Sequence, residues 1–230
     1  MKKIITLFVL FLSIEIAYTQ DNEFNPPQYD SIGKIIIDST SGYFYPGLWS
    51  RLMQYDTTLS TQEYRLLYYG YTFQEKYQPY GMFADDELLK YYKSEKIKEK
   101  DYKKIIKLAT NSLAEDPFDL RLLNFLAYIY HLNGDKEMSM KTTYRFQGII
   151  AAIMSTGDGK TCETGLHVIS TSHEYVILNM FEFQFLSQAL TKDLCDYMEV
   201  KEDERNISGI YFQIKRLWEV NDEKMKINEK

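Results

Sequence analysis

Between Asp101 and Ile153, apolar residues recur every three to four positions in three runs with almost no spacer. That spacing places them on one stripe of a helix. It predicts helices over Asp101–Ala114, Asp119–Leu132 and Asp135–Ile153. In the first, Tyr102, Ile105, Ile106, Ala109 and Leu113 share a face, and Pro117 closes the run by disfavouring helical geometry in Asp116. Asp119 is placed to cap the second, its carboxylate accepting from free backbone N–H groups. That helix has two apolar faces, one of Leu123, Leu126, Ala127 and Tyr130, the other of Leu122, Phe125 and Ile129, so it needs neighbours on both sides. Gly134 stops it, since glycine takes the left-handed conformation without a Cβ penalty. Phe146, Ile149, Ile150 and Ile153 give the third helix its buried stripe.

Upstream, Asp30 or Ser31 is placed to cap a short helix bearing Ile32, Ile35 and Ile36. A helix starting near Pro46 carries Leu48, Trp49, Leu52 and Met53. Ser60 and Glu63 have capping-box spacing. The helix they open is expected to run from Thr61 to about Tyr77, with Tyr64, Leu67, Tyr68 and Tyr71 on one face and Leu66, Tyr69, Phe73 and Tyr77 on the other. Apolar on two sides, it reads as the inner helix of an array. Lys90–Lys104 is rich in Lys and Glu and reads as a solvated face.

After Ile153 the period shortens. Ser155–Gly159 is a loop, Leu166–Ile169 a short strand candidate, and Ser170–Ser172 a cap for a brief helix through Asn179. Phe181, Phe183 and Phe185 alternate with polar residues, which predicts a strand. Cys195–Lys201 and Gly209–Lys215, joined by the charged turn Glu202–Asn206, predict an antiparallel pair. The expected fold is α+β, with an N-terminal antiparallel, repeat-like helical array followed by a small C-terminal antiparallel sheet. The expected segments are a leader over 1–19, a flexible lead over 20–29, a helical lobe over 30–154, a β-rich lobe over 155–220 and a fraying charged tail over 221–230.

Charge and cysteine content narrow the setting. The formal net charge is −6 over 230 residues, which argues against nucleic-acid binding through phosphate neutralisation and against docking on an anionic membrane. Lys2 and Lys3, the apolar run Ile4–Leu12 and Ala17-Tyr18-Thr19 read as a signal peptide cut before Gln20. The apolar run is far shorter than the roughly 20 residues that span a bilayer, so a mature protein without a membrane span, periplasmic or secreted, is expected. In such an oxidising compartment Cys162 and Cys195 form either a disulfide or two buried thiols, and two cysteines alone do not decide between them.

Candidate chemistry is sparse. Gly159-Lys160-Thr161 fails as a phosphate loop because Met154 stands where the first glycine belongs and a helix precedes it. His167 and His173, with Asp158, Glu163 and Glu174 nearby in sequence, match no metal spacing and read as surface polar residues. No cofactor and no catalytic residue is expected. The chain has 20 tyrosines, and aromatics make up 15% of it. They either build the core, with hydroxyls reaching polar partners at its edge, or line a groove for sugars or a peptide, for which Tyr43, Tyr45, Trp49, Tyr69 and Tyr80 are the candidates.

Two resemblances add to this reading. Leu123, Leu126, Ala127, Tyr130 and Gly134 resemble the first half of a tetratricopeptide repeat, although Ser139 and Thr143 depart from its later positions. Tyr43-Phe44-Tyr45-Pro46, Leu67-Tyr68-Tyr69-Gly70-Tyr71, Pro79-Tyr80, Gly157-Asp158-Gly159, His167-Val168-Ile169 and Gly209-Ile210-Tyr211-Phe212 resemble domain-of-unknown-function family 4919, exported proteins of Bacteroidetes. The second resemblance spans roughly Tyr29 to Trp218 and implies export and domain extent, but no catalytic residues. The expected function is a non-enzymatic, protein-binding scaffold. The alternative is a glycan- or peptide-binding module, or a hydrolase that uses carboxylates in an aromatic cleft.

Overall fold

The computed structural model describes residues 24–80 and 86–228. The leader over 1–19, the first part of the lead that follows it and Gly81 lie outside the described residues. Helix α1 (Tyr29–Ile37) buries Ile32 and Ile36, and α2 (Tyr45–Met53) carries Pro46 in its first turn. Helix α3 (Thr61–Gly70) opens on the expected capping box: the Ser60 hydroxyl accepts from the Glu63 N–H, and the Glu63 carboxylate accepts from the Ser60 N–H. It ends seven residues before Tyr77, and a 3₁₀ turn over Tyr71–Phe73 follows. Every residue of α3 from Tyr64 to Gly70 is buried, because α1, α2 and α7 (Lys136–Met154) all pack against it.

Helices α4 (Asp86–Tyr92), α5 (Tyr102–Glu115) and α6 (Leu120–Leu132) complete the helical half, and α7 folds back on α6. Asp119 and Asp135 cap α6 and α7, each accepting at 3.0 Å from the N–H three residues on. Gly134 turns between them at φ +80°, with its own N–H on the His131 carbonyl and the Asp135 N–H on the Tyr130 carbonyl.

The C-terminal half comprises β1 (Leu166–His167), α8 (Ser172–Met180), β2 (Phe185–Leu190), β3 (Cys195–Val200), β4 (Gly209–Gln213) and α9 (Lys215–Asn228). Sheet order is β1-β4-β3-β2. The fold is α+β as expected, but the sheet is mixed: β2–β3 and β3–β4 are antiparallel, whereas Leu166 and His167 pair parallel with Phe212 and Gln213. The chain leaves β1, passes through α8 and the β2–β3 hairpin, and re-enters beside β1 in the same direction. Such a return needs a long crossover, which a strand-by-strand reading does not see.

Two local expectations are corrected. The alternation at Phe181, Phe183 and Phe185 is not yet a strand at its start. The Phe183 N–H bonds to the Leu178 carbonyl and the Glu182 N–H to Asn179, with Glu182 at φ +58°, so the C-terminus of α8 claims those residues. The tail is not a loose end within the described residues. Helix α9 runs to Asn228, buries Leu217 and Val220, and sends Lys224 back to the carbonyls of Glu75 and Tyr77. Buried apolar residues from Ile32 to Val220 form one cluster, so helices and sheet share a core.

Candidate functional site

The tyrosines of α3 and the turn after it join the helical half to the segment that begins at β1. The Tyr69 hydroxyl donates to the His167 carbonyl at 3.1 Å, and the Tyr77 hydroxyl donates to the Ile169 carbonyl at 2.7 Å. The Tyr68 hydroxyl accepts from the Ile169 N–H at 3.1 Å and lies 2.6 Å from Nδ1 of His173. Burial raises the phenol pKa of all three, so they act as neutral struts.

One of these struts, Tyr77, stands on the wall of a cavity of about 360 Å³, lined also by Tyr71, Phe118, Ser170 and His173, with Asp116 and Gln78 among its polar residues. A second cavity, of about 430 Å³, is lined by Tyr45, Pro46, Trp49, Met53 and Gln74. Tyr71 and Lys76 line both, so the two meet there and form a trough. Its floor is aromatic: Trp49 stacks on Tyr71 at 5.9 Å and sits 5.9 Å from Tyr45. Its rim is polar, with Lys76 paired to Glu115 at 3.4 Å and both side chains largely exposed. Asp116 is crowded by protein and by Asp119, which pushes its acid upward, but its exposed outer edge tempers that rise.

The structure brings together two of the five groove candidates from the sequence. Tyr45 and Trp49 line the trough. Tyr69 is fully buried, Tyr43 is exposed and lines neither cavity, and Tyr80 lies beside Glu174 and Asp196. Tyr71 and Tyr77, read from sequence as core residues, are the wall that the sequence missed.

Two residues read as surface polar groups are interior. His173 is 2% exposed and Glu174 0%. Burial lowers the His173 imidazole to about 3, with the Arg121 charge adding to the effect. The half-buried His167 is lowered to about 4, first by burial and then by Arg65. Glu174 is raised to about 9, first by burial and then by Asp196. Asp158 turns into its own loop, accepting from the Thr164 hydroxyl at 2.7 Å and pairing with Lys160 at 3.0 Å. Among the described residues no three His, Cys, Asp or Glu side chains gather as a metal site. Cys162 and Cys195 form a disulfide, Cα to Cα 5.8 Å, that ties the loop before β1 to the start of β3. No helix of the described residues is long and apolar enough to cross a membrane.

A family model described as "Domain of unknown function (DUF4919)" matches residues 30–223, and the chain belongs to that family. No curated protein and no solved structure matches it.

Proposed function

We propose that the protein is a non-enzymatic, exported interaction protein of the cell envelope that holds an extended segment of another polypeptide along the trough. The observation that carries this reading is the meeting of the two cavities at Tyr71 and Lys76, which gives an apolar floor under a rim of both charge signs. Such a floor takes alternate side chains of an extended chain, and the rim meets its backbone and charged groups. A sugar ring is less well served. It needs an open aromatic face, and Trp49 is already flanked by Tyr45 and Tyr71. A hydrolytic reading needs two carboxylates free to face a substrate; of the two that line the first cavity, Glu115 is paired with Lys76 and Asp116 accepts the Phe118 N–H at 3.3 Å. The leader over 1–19 supports export.

The test is capture from envelope and secreted fractions with wild type and with the double variant Lys76→Glu, Gln78→Trp. Both positions are exposed, so the fold should survive, as a thermal melt would check. A polypeptide held by the wild type should be lost with the double variant. Equal recovery by both proteins, or none by either, would overturn the reading.

A further inference from the structure

Glu174 lies in the first turn of α8, where the helix dipole favours an ionised acid. Its surroundings oppose that. The residue is 0% exposed, and among the described residues neither carboxyl oxygen meets a hydrogen-bond donor. Within hydrogen-bonding reach is another acid, Asp196 of β3, itself 4% exposed. One oxygen of Asp196 is already taken: the Gln188 amide donates to Oδ2 at 2.7 Å, and the Tyr175 hydroxyl fixes that amide by donating to its oxygen at 3.0 Å. Two buried carboxylates facing each other without a donor repel. If one carries a proton, the same contact becomes a hydrogen bond. With both ionised, neither Glu174 oxygen is satisfied; with Glu174 as the acid and Asp196 as the acceptor, one of the two is.

We propose that Glu174 and Asp196 share one proton and form a pH-sensitive latch that fastens α8 to the β2–β3 hairpin. Among the described residues, the groups around the latch do not supply a substitute for the proton. Tyr80, from the loop after the 3₁₀ turn, and Tyr175, on α8 itself, feel both acids, and burial and then those charges raise their phenols, which stay neutral. From β2 comes only the neutral amide of Gln188. Arg121 of α6 lines the crevice beside Tyr175 and Val176, where Tyr92 of α4 joins it, and Arg121 lies 3.8 Å from Asp119. His173, the preceding residue, is neutral and engaged with Tyr68.

In the unfolded chain Glu174 ionises near the ordinary value of about 4.5, and in the fold near 9. The stability held in the latch is therefore complete below about pH 4.5, declines as pH rises, and is gone once the folded-state acid ionises. Between pH 7 and 9 the fold keeps one proton that the unfolded chain has released, so the latch raises the unfolding equilibrium constant about tenfold per pH unit.

The test is urea unfolding from pH 6 to 9 of the disulfide-intact protein and of Glu174→Gln, whose amide donates to Asp196 at every pH. The wild-type unfolding constant should gain about tenfold per pH unit relative to Glu174→Gln above pH 7. Parallel profiles would overturn the latch. If Glu174→Gln does not fold, the infrared spectrum of the wild type decides. A protonated-carboxyl band at pH 7 that fades toward pH 9 supports the shared proton, and its absence at pH 7 sinks it.

Discussion

The hydroxyl of Tyr68 on α3 stands 2.6 Å from Nδ1 of His173 on α8. The same hydroxyl accepts the Ile169 N–H at 3.1 Å, so its proton points to the imidazole and Nδ1 is an acceptor. His173 is thereby held as the neutral tautomer protonated on Nε2, which faces the Phe118 backbone. One phenol thus orders the segment after β1 and the first turn of α8, and its ring packs edge-on against Phe118 of the cavity wall at 5.6 Å.

This arrangement makes the fold sensitive to acid. His173 is held down to about 3 and His167 to about 4, each first by burial. In the unfolded chain both charge near the ordinary value of about 6.5. The unfolded chain therefore binds protons first as pH falls. The stability carried by the neutral imidazoles is intact above about pH 6.5 and drains toward pH 4 and 3. Between pH 7 and 4.5 the wild type should lose stability relative to His173→Asn, whose side-chain oxygen still accepts from Tyr68, so the gap between their urea midpoints should change as pH falls. Identical profiles would remove His173 from the account.

Two glycines in helices should respond to alanine with opposite signs. A Cβ at Gly148 of α7 would sit 2.3 Å from the ring of Tyr64, which is buried against it. Alanine gains up to about 1 kcal/mol of helix propensity over glycine, but a rigid ring at that distance forces α3 and α7 apart. Gly148→Ala should cost about 1–3 kcal/mol net. Gly47 of α2 has open space around its Cβ position, so Gly47→Ala should stabilise by up to about 1 kcal/mol. Chemical denaturation of the two variants checks both signs together.

The Cys162–Cys195 bridge closes a loop with a sequence separation of 33. Chain-entropy reasoning puts its ceiling at about 4 kcal/mol. The contacts of Gln213 with the Cys162 carbonyl, 2.7 Å, and of β3 with β4 remain when the bridge is cut, so the fold should persist but melt at lower temperature. Thermal melts with and without reductant measure the difference, and superimposable curves would show that the bridge contributes nothing.

Much of the helical half was legible because its signals are local. Ser60 with Glu63, Asp119 and Gly134 each act within one turn, and their expected roles match the bonds they make; the cap that Asp135 gives α7 is equally local but was not read. The end of α3 was not legible. The apolar pattern continues to Tyr77, but the chain tightens into a 3₁₀ turn after Gly70 because Tyr71 and Tyr77 must face the trough and Ile169. The strand expected from Phe181 failed for a related reason: alternation and a helix terminus compete for the same residues, and two hydrogen bonds to α8 decide the contest. In the candidate site, Tyr45 and Trp49 of the five groove candidates line the trough, while Tyr69 is buried, since two apolar faces on α3 do not reveal which one a neighbour covers.

Sequence alone determined the elements whose causes lie within four residues: most helices of the N-terminal half with the caps of α3 and α6, the change of period after Ile153 and the acidic balance of the chain. Tertiary structure alone decided which distant groups meet. It set the parallel return of β4 beside β1, the pairing of Cys162 with Cys195, and the burial of Glu174 against Asp196. The reason is physical. A cap or a stripe is fixed by the pitch of one helix, whereas the protonation of a glutamate is fixed by how much water its neighbours exclude, and those neighbours come from segments that local pattern does not connect.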